Sequence, residues 1–308
     1  MVRHFLRDDD ITPAEQAQIL DLALAMKSDR YGYRPLEGPQ TVAVIFDKTS
    51  TRTRVSFSVG ITDLGGNPLI IQPGDSQLGD KESVADTARV LERMVSAIVW
   101  RTYKQSALDE MADRTTVPVI NSLTDDFHPC QLLADLMTIR EHKGDLAGLN
   151  VAFIGDGASN MAHSYLLACA TAGMNIRLAT PAVYQPDAAV VAKAHEIAAE
   201  TGGSVWVGDN VTLAATCADI VVTDTWISMG KEDEKAERLR NFSGYRVSPA
   251  LMSVADPAAL FMHCLPAYRG YEVDAEVIDG PQSVIWDEAE NRLHAQKALM
   301  HFVLTEGK

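Results

Sequence analysis

Short apolar runs alternate with longer stretches in which apolar residues recur every three or four positions, and this alternation continues along the whole chain. The runs at 41–46, 68–71, 97–100, 117–120, 150–154, 175–179, 204–207, 220–223, 260–263 and 283–286 predict buried strands. Between them, the spacing predicts helices at 12–27, 83–94, 129–142, 160–172, 187–201 and 288–304. Strand, helix, strand in repetition builds parallel sheets covered by helices on both faces. The segment Lys143-Gly144-Asp145-Leu146-Ala147-Gly148 follows a long helix and precedes a new strand, so it marks a break. The expected fold is α/β: two doubly wound parallel-sheet domains, residues 1–143 and 144–287, with the C-terminal helix of about 288–308 returning to the first.

At 308 residues the chain is long enough for two domains of ordinary size, each with its own core. Its 46% hydrophobic and 22% charged residues are those of a soluble globular protein. A formal charge of −15 argues against nucleic acid as a partner, because such binders present a broad basic face. Arginines meant for an anion must therefore be concentrated in one pocket. The four cysteines, Cys130, Cys169, Cys217 and Cys264, are widely spaced and form no C-x-x-C pair, which fits a reducing cytoplasm. The N-terminal residues lack the pattern of a cleaved leader, and no apolar run reaches membrane-spanning length. A cytoplasmic location and no membrane partner are expected.

Polar residues gather where the predicted strands end. Ser50-Thr51-Arg52-Thr53-Arg54 lies between the run 41–46 and a helical stretch starting at Val55, with Lys48 just upstream. A hydroxyl-rich turn with two arginines at a helix N-terminus suits a phosphate: free N–H groups and the dipole face it, and guanidinium forks grip its oxygens. The alternative is a Ser/Thr-capped helix with solvated arginines. Further along, Arg101 follows Ile98-Val99-Trp100, and His128-Pro129-Cys130-Gln131 precedes a helix that Pro129 can start. Asn160 follows Phe153-Ile154-Gly155-Asp156-Gly157, and Asp224 follows Ile220-Val221-Val222-Thr223. His263-Cys264-Leu265-Pro266 follows Leu260-Phe261-Met262, and Glu290-Asn291-Arg292 follows the run 283–286. Ligands of open parallel sheets sit at the carboxyl ends of the strands, which is where these clusters fall.

With these motifs the sequence resembles the aspartate/ornithine carbamoyltransferases, and among them the ornithine carbamoyltransferases. The resemblance runs from Phe5 to near the C-terminus. It is carried by Ser50-Thr51-Arg52-Thr53-Arg54, Ser76-Gln77-Leu78-Gly79, Trp100-Arg101-Thr102 and Phe127-His128-Pro129-Cys130-Gln131. Asp224-Thr225-Trp226-Ile227-Ser228-Met229-Gly230, His263-Cys264-Leu265-Pro266-Ala267 and the segment from Glu290 to Gln296 complete it. The family implies carbamoyl phosphate plus L-ornithine giving L-citrulline and phosphate, in arginine biosynthesis, with no metal and no organic cofactor. It implies that Ser50, Thr51, Arg52 and Thr53 bind phosphate, and that Arg101, His128 and Arg292 polarise the carbonyl oxygen. It implies that Gln131 and the Leu265 carbonyl orient the carbamoyl amide, with Cys264 near the attacking amine. Asn160, Asp224, Ser228 and Met229 are the implied ornithine positions. Gln77 is implied to reach the active site of a neighbouring subunit in a homotrimer; the alternative for its glycine-flanked loop is a surface turn. The first domain becomes the carbamoyl phosphate domain and the second the ornithine domain.

Other readings are weaker. Gly155-Asp156-Gly157-Ala158-Ser159-Asn160 has Asn160 where a dinucleotide fingerprint needs its third glycine, and the next strand ends at Thr180-Pro181 without a ribose-binding carboxylate. His128 with Cys130, and His263 with Cys264, lack the spacing that lets both members of a pair ligate one zinc ion. A binding relic without chemistry has no reason to keep Arg52, His128, Gln131 and Cys264 together. Sibling transferases acting on putrescine or acylated ornithine fit less well, because Asp224 suits a free ammonium. The charged segment from Lys231 to Arg238 is expected to close over ornithine.

Overall fold

Thr41–Phe46 forms β1, buried from Val42 onward because its apolar side chains meet helices on both faces of the sheet. The computed structural model describes residues 2–74, 82–228 and 230–305. It separates into one unit of Met1–Met137 with Glu290–Lys308, and a second of Thr138–Ala289.

In the first unit, α1 (Pro13–Ser28) precedes β1, followed by α2 (Thr51–Asp63), β2 (Asn67–Ile71), α3 (Val84–Leu91), β3 (Ala97–Arg101), α4 (Gln105–Asp113), β4 (Val119–Leu123) and the start of α5 (Pro129–Lys143). The four strands are parallel in the order β2-β1-β3-β4. The chain order reverses direction at β1, so the crevice beyond the carboxyl ends of β1 and β3 is the switch point where ligands settle. Phe46 lies opposite Arg101 there. Between Trp100 and Arg101 the pairing with β4 skips a residue, Trp100 facing Asn121 and Arg101 facing Leu123. Such a bulge re-aims the side chain that follows it.

In the second unit come β5 (Asn150–Ile154), α6 (Asn160–Thr171), β6 (Asn175–Ala179), α7 (Ala188–Thr201), β7 (Ser204–Gly208), α8 (Val211–Ala215), β8 (Ile220–Thr223), α9 (Lys235–Asn241), α10 (Pro249–Met252), β9 (Leu260–Met262) and α11 (Ala275–Ile278). The sheet is parallel throughout in the order β7-β6-β5-β8-β9. Its switch point lies between β5 and β8, where Ile154 faces Thr223.

The last helix, α12 (Ile285–Thr305), starts in the second unit and belongs to the first from Glu290 on. There it packs on α1 and α2. Lys27 Nζ donates to Asn291 Oδ1 at 2.8 Å, and Lys297 Nζ reaches Asp63 Oδ2 at 3.5 Å. Gly60 suits the close approach, since a Cβ there would lie 3.2 Å from Lys297 Cγ, a tight contact. The return of the C-terminal helix is thus as the sequence predicts.

One predicted strand is not a strand. Of residues 283–286, only Ser283 bridges to Phe261, and α12 begins at Ile285. Val284 and Ile285 are buried while Trp286 is 69% exposed, and Asp287 and Glu288 occupy the first helical turn, where carboxylates oppose the positive dipole end. A short apolar run at a helix start looks like a strand by periodicity alone. Glu290-Asn291-Arg292 consequently sits inside a helix rather than after a strand.

Candidate active site

The turn between β1 and α2 is built as its sequence requires. Ser50 is extended, and its Oγ caps α2 by accepting from the Thr53 N–H at 3.3 Å. Thr53 is fully buried, Arg52 half-buried and Arg54 exposed. Lys48 spends its charge elsewhere: it is buried, pairs with Asp125 and lies over the Tyr103 ring, 4.3 Å from its centre. Asp47 ties the turn to β3, its N–H donating to the Arg101 carbonyl at 2.9 Å and its Oδ2 accepting from Trp100 Nε1 at 3.0 Å.

Arg292 joins three motifs that lie far apart in sequence. Its Nη1 donates to Gln131 Oε1 at 2.7 Å and its Nη2 to Thr53 Oγ1 at 2.8 Å, with all three residues buried. Gln131 Nε2 in turn donates to Asp135 Oδ1 at 2.8 Å. His128 is buried beside this group. Its proton affinity is held well below the usual imidazole value, first by burial and then by the Arg292, Arg101 and Arg52 cations. A neutral imidazole beside three guanidinium groups is an oxyanion-binding arrangement. Cys130, by contrast, is inert: burial pushes its thiol up to about 12, and its Sγ donates to the Asn121 carbonyl at 3.2 Å.

In the second unit, Asp224 lies just beyond β8 and Cys264 just beyond β9, and the Cys264 thiol donates to Asp224 Oδ1 at 3.3 Å. Burial raises the Asp224 carboxyl above its ordinary range, partly countered by the Thr225 N–H and the Cys264 thiol. His263 Nδ1 accepts from the Leu265 N–H at 2.9 Å, so the ring proton is on Nε2 and donates to Glu272 Oε1 at 3.3 Å. Glu272 Oε1 also accepts the Tyr268 N–H at 2.6 Å. The backbone at Leu265 is left-handed, with φ of 58°.

Ligating atoms of Asp224, His263 and Cys264 lie within 4.8 Å of one another. Both ring nitrogens of His263 are committed as described, which makes this trio a poor cation cage. Asn160 opens α6 behind Ser159, whose side chain accepts from the Ala162 N–H; Asn160 and Ser228 are half-buried. Of the glycines before Asn160, Gly157 serves packing: a Cβ there would lie 2.7 Å from the Tyr184 carbonyl oxygen. Gln77 and Met229 lie outside the described residues.

Two side chains that brace the candidate site carry little signal in sequence. Glu272 sits in an irregular loop, and its pairing with His263 follows no period. Arg238, predicted only as part of a charged loop, is buried in α9. It donates to Asp156 Oδ2 at 2.7 Å, the Trp226 carbonyl at 3.0 Å and Glu234 Oε2 at 2.8 Å. It thus fastens the segment after Ser228 to the loop before Asn160. Asp135 did carry a signal, as the one charge in the apolar run Leu132-Leu133-Ala134-Asp135-Leu136-Met137.

Residues 3–141 match the family model described as aspartate/ornithine carbamoyltransferase, carbamoyl-P binding domain. Residues 147–303 match the one described as aspartate/ornithine carbamoyltransferase, Asp/Orn binding domain. The ornithine carbamoyltransferase of Clavibacter sepedonicus is 67% identical over 306 residues, covering 99% of this chain and 100% of that one. Among solved structures, ornithine carbamoyltransferase from Pyrococcus furiosus superposes with a TM-score of 0.93 at 46% identity, covering 97% of this chain and 96% of the other. Anabolic ornithine carbamoyltransferase from Campylobacter jejuni gives 0.92 at 39% identity, covering 98% of both. Sequence, fold and buried polar groups agree: the chain belongs to the aspartate/ornithine carbamoyltransferase family.

Proposed function

We propose that this protein transfers the carbamoyl group of carbamoyl phosphate to the side-chain amine of L-ornithine, giving L-citrulline and phosphate. The observation that carries the reading is the buried Arg292, which gathers Thr53 and Gln131 beside His128 and Arg101. Attack by an amine on the carbamoyl carbon builds negative charge on the carbonyl oxygen while phosphate departs as an anion. Prepositioned cations and neutral donors accelerate such a step without a protein nucleophile.

In this reading residues 1–143, with the C-terminal helix of about 288–308, bind carbamoyl phosphate, and residues 144–287 bind ornithine. Ser50, Thr51, Arg52 and Thr53 hold the phosphate, with Gln77 from a neighbouring subunit of a homotrimer. Arg101, His128 and Arg292 take the developing oxyanion. Gln131, Cys264 and the Leu265 carbonyl orient the carbamoyl group. Asp224 pairs with the α-ammonium of ornithine, while Asn160, Ser228 and Met229 receive the rest of the amino acid. Burial raises the Asp224 carboxyl, so the site gains most from a ligand that brings a cation to it. That favours a free ammonium over an acylated amine. A biosynthetic role in arginine formation is in keeping with the similar anabolic ornithine carbamoyltransferase of Campylobacter jejuni, and a cytoplasmic location is part of the same proposal.

Citrulline formation from carbamoyl phosphate with L-ornithine, beside putrescine, N-acetylornithine and L-aspartate, tests the reading. Turnover with ornithine alone is expected. Turnover only with another amine overturns the Asp224 assignment, and none at all overturns the enzymatic reading. Full activity in a monodisperse monomer overturns the shared site.

A further inference from the structure

We infer that Tyr184 positions the ornithine-binding residues by serving as the platform on which α9 docks. The inference rests on the proposal that Asp224 and Ser228 hold ornithine. Thr225-Trp226-Ile227 joins those two residues. The Ile227 N–H donates to Thr225 Oγ1 at 3.4 Å, a side-chain turn that keeps the segment tight. In its middle, Trp226 is buried, and α9 holds it twice. The Trp226 ring stacks on Phe242, with centroids 5.7 Å apart and planes at 20°, and its carbonyl accepts from Arg238 Nη1 at 3.0 Å. A displacement of α9 therefore moves the residues on both sides of Trp226.

α9 does not place itself. It has seven residues, too few for a helix to be stable alone, and Arg238 is the residue it buries. A buried cation needs partners on every side. The guanidinium donors go to Asp156, Glu234 and the Trp226 carbonyl, while Cζ lies over the Tyr184 ring, 4.8 Å from its centre. The same ring stacks on Phe242, with centroids 4.6 Å apart and planes at 26°, and its hydroxyl accepts from Asn241 Nδ2 at 3.2 Å. Arg238, Asn241 and Phe242 share the spacing of one helical face, and Tyr184 meets all three. Tyr184 is tied in turn to the loop that carries Asn160. Its carbonyl accepts from Thr180 Oγ1 at 2.9 Å, and that hydroxyl accepts from the Gly157 N–H at 2.9 Å. Tyr184 is thus a positioning residue that touches no substrate: it sets α9, and through Trp226 it sets Asp224 and Ser228, against the Asn160 loop.

The test is steady-state citrulline formation by the full-length protein, with each substrate varied at saturating levels of the other, for wild type, Tyr184→Phe and Tyr184→Leu. Phenylalanine keeps the ring and loses only the bond to Asn241, whereas leucine offers no π face to the guanidinium or to Phe242. Y184L is expected to raise the ornithine KM at least about tenfold, with kcat within about threefold and the carbamoyl phosphate KM within about twofold of wild type. Y184F is expected to stay within about threefold of wild type in all three constants. Where Y184L does not fold, Tyr184→Met, which is more adaptable and also lacks a ring, is read in the same way. An unchanged ornithine KM in Y184L, a loss confined to kcat, or an equal rise in both KM values overturns the role of Tyr184. So does a Y184F variant as impaired as Y184L. A wild type that forms no citrulline from ornithine overturns the functional reading itself, before any variant is compared.

Discussion

Arg292→Met is the most informative single change. It keeps the length and apolar stem of the side chain and removes every donor. Two hydrogen bonds disappear, to Gln131 Oε1 and Thr53 Oγ1, at 2.7 and 2.8 Å. Bonds from a charged donor contribute about 1.5–3 kcal/mol each, so about 3–6 kcal/mol of favourable contact is lost. Against that, the folded protein no longer buries an ion, which relieves several kcal/mol of desolvation. Folding stability should therefore change little, by about 2 kcal/mol or less in either direction. Catalysis has no such compensation. A donor aimed at charge that grows in the transition state is worth about 2.7–4 kcal/mol, or about a hundred- to a thousandfold in kcat. Arg292 also helps suppress protonation of His128, second to burial, so its removal should move the His128 titration upward. The assays are steady-state citrulline formation, urea unfolding, and NMR titration of the histidine ring. A variant that folds and keeps kcat within about tenfold of wild type would refute the reasoning, whatever its stability.

Acid should weaken the fold through three histidines, because the native environments of His4, His128 and His294 refuse protons that the unfolded chain accepts. Stability present above about pH 6.5 is lost as pH falls, for His294 down to about 4; urea midpoints across this range should slope upward with pH, and His294→Gln should flatten the slope. Arg238→Gln leaves Asp156 buried without its cation and releases the Trp226 carbonyl. It should raise the KM for ornithine at least about tenfold and cost about 3–5 kcal/mol of stability, with the KM for carbamoyl phosphate within about twofold; an unchanged ornithine KM contradicts the anchoring role. Cys264→Ser keeps a donor to Asp224 and Cys264→Ala removes it. The alanine variant should bind ornithine about tenfold or more weakly than the serine variant, and equal affinities would show that the thiol does not hold Asp224.

What the sequence made legible was whatever a short-range rule controls. β1, β5, β6 and β8 fall where their apolar runs lie, because a strand between two layers of helices must be apolar on both faces. Polar residues that follow such strands must stand at the carboxyl edge of the sheet, so Ser50, Arg101, Asn160 and Asp224 could be placed without a structure. Side-chain partnership is another matter. Asp156 with Arg238 and His263 with Glu272 are joined across loops that follow no period, and only the folded backbone decides which charges meet. Arg292 shows how a candidate residue can come with the wrong address. As a residue following a strand, it would stand on a loop and would have to be held in place by other groups. In α12 it stands on the third turn of a long helix whose neighbouring residues are packed on α1 and α2, so its guanidinium leaves a rigid base. That rigidity matters for an oxyanion donor, because a group already aligned pays no reorganisation when charge develops. The misplaced strand and the tight bonds of Arg292 to Thr53 and Gln131 therefore have one origin, the early start of a helix that carries Arg292 back into the first unit.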